Sequence, residues 1–142
     1  MVGLFSRMVV GITVRMPRWF VGWVSRRYVA GTTLADATKG MQRLSKEGSC
    51  FTIDVLGEEI TTMDEATFFL EEYKRVITVI TENKLDANLS IKPTAFGLLL
   101  DSEKGMENIE ALVTMANNHD MFVRLDMEDP RVTDDTIQVM LD

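Results

Sequence analysis

The chain of 142 residues contains one cysteine, Cys50, and one histidine, His119. A single cysteine excludes an internal disulfide framework, and one of each cannot supply a Cys/His zinc site of the usual kinds. No metal site is therefore expected, and the expected setting is reducing and intracellular. Long hydrophobic runs are missing from the amino-terminal segment: its uncharged stretches, such as Met8 to Val14, fall far short of the ~20 residues a membrane span requires. A clear secretory leader, with a longer apolar region and a small-residue cleavage site, is not seen there either. Neither G-x-G-x-x-G nor G-x-x-x-x-G-K follows any predicted strand, so dinucleotide and P-loop versions of an open α/β sheet lose support. The net charge of −7 argues against a general nucleic-acid binder, which needs clustered positive charge to displace counterions from phosphate.

What is present is unevenly distributed. Residues 1 to 35 hold Arg7, Arg15, Arg18, Arg26 and Arg27 and no acid, a charge of +5, whereas residues 36 to 142 hold 10 bases against 22 acids, a charge of −12. Trp19, Phe20, Trp23 and Val24 fall at helical spacing with Arg18, Arg26 and Arg27 on other faces. Residues 1–32 therefore read as a basic amphipathic arm. Such a helix either packs on the body or lies on an anionic membrane surface. The apolar content of 46% is ordinary for a globular protein, and the length suits one hydrophobic core.

From Thr33 onward the pattern alternates helix and strand. Thr33 with Asp36 opens a helix whose face is Leu34, Ala37, Met41 and Leu44, and Gly48 ends it. Residues 50–55 (CFTIDV) read as a short buried strand. Thr62 and Glu65 form a T-x-x-E capping box for a second helix with the apolar face Ala66, Phe69, Leu70, Tyr73, Val76, Ile77 and Ile80. A strand over 87–92 (ANLSIK), a helix over roughly 103–118 and a strand over 121–126 (MFVRLD) follow, and Thr133 with Asp134 and Asp135 starts a last helix. Strands recurring at intervals of one β-α unit imply a parallel sheet, either an open doubly wound sheet or a (β/α)8 TIM-type barrel, and the missing phosphate motifs favour the barrel.

In both architectures ligands bind beyond the carboxyl ends of the strands. The first strand delivers Asp54 and, in the next loop, Glu58; the second delivers Lys92; the third delivers Asp126. Any one of these charges can be simple solvation of the rim. Three at matching positions point to use, because charges at a barrel mouth are costly to desolvate unless paired or employed. A lysine flanked by carboxylates suits a small anionic substrate.

These segments resemble the proline dehydrogenase family. YVAGTTLADA (28–37), FTIDVLGE (51–58), SIKPTAFGLLLD (90–101) and FVRLDMEDPRVTDDT (122–136) occur in the family's order and spacing, so the resemblance covers residues 28 to 142. It implies an FAD-dependent barrel enzyme of proline catabolism that oxidises L-proline to Δ1-pyrroline-5-carboxylate, passes hydride from substrate C5 to flavin N5, and delivers electrons to a membrane quinone. By the same resemblance Lys92 helps hold the substrate carboxylate, and Asp126 lies near flavin and the substrate-binding groups. Glu58 pairs with a substrate-binding arginine and helps close the site. Asp54 matches a family position that is equally suited to a structural acceptor.

The family's barrel has eight strands, and residues 33–142 supply three. The later strands and last helix, which carry the family's arginine pair, ring-packing aromatics and most flavin contacts, have no counterpart in this sequence. The expectation is an amino-terminal partial barrel that alone neither retains FAD nor oxidises proline, cytoplasmic and peripheral to the inner membrane if the arm binds it. The alternative is a non-catalytic half-barrel acting through self-association or a complementary chain, since an unpaired strand edge invites pairing. Among the remaining residues, the ten methionines are expected to fill gaps in helix packing and Cys50 to be a buried small hydrophobe. Gly57 and Gly97 are expected to be turn residues at positive φ.

Overall fold

The computed structural model describes residues 16–25, 28–57, 60–127 and 130–141. They fall in two compact units, 1–40 and 41–142.

In the first unit, helix α1 (Arg18–Ser25) starts behind Pro17, whose carbonyl accepts from the Phe20 and Val21 N–H groups. Trp19, Trp23, Val21 and Val24 on it are exposed. Helix α2 (Leu34–Ser45) begins in this unit and ends in the second. Its cap is the one expected: the Asp36 N–H donates to Thr33 Oγ1 at 3.2 Å, and the Thr33 hydroxyl donates back to Asp36 Oδ2 at 2.8 Å. That hydroxyl holds the Asp36 carboxyl below the usual carboxylate range.

The second unit is a three-stranded parallel sheet in the order β1 (Phe51–Ile53), β2 (Ala87–Ile91), β3 (Val123–Leu125). Helix α3 (Met63–Glu82) connects β1 to β2, α4 (Ser102–Asn117) connects β2 to β3, and α5 (Thr133–Leu141) follows β3. The capping box starts α3: the Glu65 N–H donates to Thr62 Oγ1 at 3.3 Å, while Glu65 Oε2 accepts from the Thr62 and Thr61 N–H groups at 3.0 and 2.7 Å. Those backbone donors lower the Glu65 pKa.

Helices α2 (Leu34–Ser45), α3 (Met63–Glu82) and α4 (Ser102–Asn117) leave their last turns in the same way. Ser49, Leu85 and Met121 donate their N–H groups to the carbonyls of Leu44, Ile80 and Ala116, five residues back. The preceding residues, Gly48, Lys84 and Asp120, take left-handed conformations at φ of 84°, 51° and 54°. Two of these positions lack glycine, so local sequence did not mark them, yet the same turn drops the chain into each strand.

Register divides the sheet into two faces. Ile53, Leu89 and Val123 align across it, as do Ile91 and Leu125, on the face that meets the helices. Leu89 and Ile91 are fully buried there with Ile77, Ile109, Leu112 and Phe96. Thr52 aligns with Asn88, and Ser90 with Arg124, on the opposite face, where Thr52 and Arg124 are exposed. The first strand is therefore not a buried strand as expected: Phe51 and Ile53 are half-buried and Thr52 is exposed, because β1 is an edge with one polar face. Cys50, expected inside, lies before the strand and is exposed. The expected helix face on α3 is buried at Ala66, Leu70, Tyr73, Val76, Ile77 and Ile80, with Phe69 half-buried.

Candidate active site

Lys92 leaves β2 immediately before Pro93, and the residue before a proline is driven to extended backbone. Its φ and ψ of −105° and 111° follow, and Pro93 opens a buried 3-10 turn, Pro93–Phe96. Gly97 closes that turn at φ 96°, the positive φ expected of it, and a Cβ there would come within 2.7 Å of the Met63 sulfur. The turn is pinned from α4: the Asn108 side chain donates to the Phe96 carbonyl at 3.1 Å, and Gly105 packs so closely on the Leu98 backbone that a Cβ would lie 2.7 Å from it. Lys92 is thereby held on a stiff base at the carboxyl rim, its side chain only 16% exposed.

Its Nζ lies 3.8 Å from Asp54 Oδ2, at the end of β1. That is an electrostatic contact, longer than the ~2.7–2.9 Å of a charge-assisted hydrogen bond. The other Asp54 oxygen, Oδ1, lies 3.1 Å from the hydroxyl of Tyr73 on α3. The same hydroxyl sits 2.8 Å from the Ser90 carbonyl and accepts from the Val55 N–H at 3.1 Å. A phenol has one proton, so Ser90 and Asp54 share a single donor. Burial, with the Asp54 and Asp126 charges adding to it, raises the Tyr73 pKa well above that of a free phenol, so this donor stays protonated. The Ser90 hydroxyl in turn donates to Asp126 Oδ1 at 2.8 Å, and the Asp126 N–H donates to the Ile91 carbonyl at 2.9 Å.

Asp54, Lys92 and Asp126 thus reach one rim from three successive strands, tied by Tyr73 and Ser90. Glu58 lies outside the described residues. Two members of the set escaped the sequence reading. Ser90 shares a face with Lys92 by strand alternation, a signal that was available. Tyr73 lay within an apolar helix face, and the clue was chemical: a tyrosine among buried aliphatics must find a partner for its hydroxyl. Gly57, expected at positive φ, does not have it. Its role is space, since a Cβ there would overlap the Phe69 ring.

The Asp54 side chain at the rim is 29% exposed. A cleft of about 690 Å³ lies elsewhere, on the helix side of β3, lined by Val113, Met121, Phe122, Leu125, Val139 and Met140 among others. Among the described residues no group of three His, Cys, Asp or Glu side chains is placed to hold a metal ion. No helix among them is long and apolar enough to cross a membrane.

The family model described as proline dehydrogenase matches residues 37–142. Proline dehydrogenase 1 of Bacillus subtilis subsp. natto is 39% identical over 115 residues, covering 81% of this chain and 38% of that protein. Proline dehydrogenase of Deinococcus radiodurans is 27% identical over 118 residues, covering 81% and 38%. The chain therefore spans well under half the length of these curated relatives. The crystal structure of proline utilization A (PutA) from Bdellovibrio bacteriovorus inactivated by N-propargylglycine superposes with a TM-score of 0.73 at 20% identity, over 96% of this chain and 16% of that one. It shares the fold, and the three parallel β-α units are part of a TIM-type barrel. With three quarters of its residues matched by that family model, in the segment that builds the rim, this chain belongs to the proline dehydrogenase family.

Proposed function

We propose that this chain forms the amino-terminal part of the active site of an enzyme that oxidises L-proline to Δ1-pyrroline-5-carboxylate. The observation that carries the reading is the rim itself: one lysine and two carboxylates from three successive strands, joined through buried hydroxyls, in a member of this family. Residues 1–32 serve as a basic arm and 33–142 as the barrel portion.

Each rim residue has a role suited to its chemistry. The Lys92 ammonium is a point charge that attracts the proline carboxylate. Asp54 beside it keeps that ammonium in place. Asp126, held by Ser90, orients cationic and N–H-bearing groups over the site. Glu58 pairs with an arginine and helps close the site over proline. A carboxylate at the rim also suits the N–H donor of a flavin's pyrimidine edge, so Asp126 is the residue here that fits FAD. FAD, when bound, supplies the hydride acceptor. A quinone takes the electrons onward. The exposed Trp19 and Trp23, in a segment rich in arginine and free of acid, support cytoplasmic placement at an anionic membrane surface where a quinone is reached.

The test is kinetic. In an enzyme that carries this chain as its amino-terminal part, proline-dependent dye reduction and flavin absorbance are expected, and in the 142-residue chain alone neither is. Lys92→Gln is expected to lower kcat/KM for proline roughly 10- to 100-fold, the loss of one charge-assisted contact. Wild-type protein that carries flavin but ignores proline, or a Lys92→Gln variant with unaltered kcat/KM, rejects the reading.

A further inference from the structure

We propose that Tyr73 is a positioning residue of the site: its hydroxyl fixes the Asp54 carboxylate, and through it the Lys92 ammonium that meets the substrate anion. The inference rests on the function proposed above for Lys92 and goes beyond it to a residue on a helix behind the sheet.

The geometry has three parts. First, the Tyr73 ring is clamped: the residue is 1% exposed and its ring lies 5.5 Å from that of Phe96, so the phenol has little freedom. Phe96 belongs to the same buried turn that carries Lys92, so one aromatic contact ties the tyrosine to the base of the lysine. Second, the hydroxyl sits where β1 and β2 part. It accepts from the Val55 N–H, just past β1, and lies 2.8 Å from the Ser90 carbonyl in β2. With those two backbone groups as fixed points, the 3.1 Å contact to Asp54 Oδ1 selects one orientation of a carboxylate that is otherwise partly exposed. Third, this orientation turns the other oxygen, Oδ2, toward Lys92 Nζ. Ser90 then extends the connection sideways, because the residue whose carbonyl faces Tyr73 uses its own hydroxyl to hold Asp126.

Chemistry favours tyrosine here. A neutral phenol adds no second charge beside a carboxylate and an ammonium, and both donates and accepts from one oxygen. Phenylalanine would keep the packing and lose all three polar contacts. Asp54→Asn leaves the Ser90 and Val55 contacts in place while altering only the carboxylate, so the two substitutions separate positioning from structural support.

The experiment is a double-mutant cycle on an enzyme that carries this chain as its amino-terminal part, read by proline kinetics and by the 15N resonance of the Lys92 side chain without proline. Tyr73→Phe is expected to raise the KM for proline about five-fold with kcat within two-fold, the pattern of weakened uniform binding. The double variant Tyr73→Phe/Asp54→Asn is expected to be no worse than Asp54→Asn alone, since the tyrosine acts through the aspartate. The Lys92 resonance is expected to move in both single variants. Additive KM effects, or a fall in kcat with KM unchanged, overturn the proposal. A Lys92 resonance that stays put in folded Tyr73→Phe protein overturns it as well, whether or not proline is oxidised. If the resonance moves but the wild type does not oxidise proline, the positioning role stands and the functional reading falls.

Discussion

On β2 the side chains of Leu89 and Ile91 enter a closed core between sheet and helices, while Asn88, Ser90 and then Lys92 lie on the opposite face beside Thr52, Asp54, Arg124 and Asp126. All-parallel sheets are normally covered on both faces and read as continuous apolar runs. This strand alternates instead. The apolar face carries the stability of the unit, and the polar face carries the hydrogen bonds that hold the rim charges. The two sets of residues interleave one by one along five positions, so the same strand can be tested for each role separately.

The sharpest test of that division is Leu89→Ala against Ser90→Ala. Leu89 is fully buried, and its truncation leaves a cavity that is expected to cost about 2–5 kcal/mol of unfolding free energy. Ser90→Ala removes one hydroxyl bond to Asp126 and is expected to cost about 1 kcal/mol. Urea denaturation of both variants measures the pair. Equal losses would falsify the assignment of stability to one face and organisation to the other.

The apolar face was also the legible one. The T-x-x-E box and the spacing from Ala66 to Ile80 are local signals, and they specify where α3 starts and which side it buries. The rim charges Asp54, Lys92 and Asp126 were found because a charge at the end of an apolar strand is itself a local pattern. Their connection was not local. Tyr73 reaches Asp54 across 19 residues and Ser90 across 17, and the Ser90 hydroxyl reaches Asp126 across 36, distances over which sequence periodicity carries no side-chain geometry. Gly57 illustrates the same limit. It looked like a glycine chosen for φ and is a glycine chosen for the Phe69 ring, which comes from α3. Lys84 and Asp120 show the reverse: they adopt left-handed backbone without being glycine, where the next residue's N–H bonds back to the helix carbonyl five residues earlier.

A second test lies at the seam between the faces, where Tyr73 packs from the apolar side and bonds toward the polar one. Burial raises its folded-state pKa above the ordinary phenol value of 10.0, so its contribution is complete below about pH 10. As pH rises past that value, the unfolded chain loses the phenolic proton while the folded protein keeps it. The unfolded state then binds fewer protons, and stability falls by up to ~1.4 kcal/mol per pH unit from this group. Lysines and other groups titrate in the same range, so the difference between wild type and Tyr73→Phe isolates the effect. The wild-type melting temperature is expected to fall faster than the variant's between pH 10 and 11.5. Parallel curves would mean that Tyr73 is not buried in solution as it is here.

The smallest expected effect is on the polar face itself. Among the described residues, Asn88 Oδ1 is buried and meets no hydrogen-bond partner. Among the described residues its partner across the sheet is Thr52 on β1. If the polar face were needed only for its hydrogen bonds, this position would gain nothing from being polar. Asn88→Val removes the unpaired acceptor and adds a β-branched side chain suited to a strand, and is expected to raise stability by about 0.5–1 kcal/mol. Chemical denaturation reads a change of that size. A loss of 1 kcal/mol or more would show that Oδ1 is satisfied in the folded protein, and the rule dividing β2 into a stabilising face and an organising face would then fail at its amino-terminal end while holding at Ser90 and Lys92.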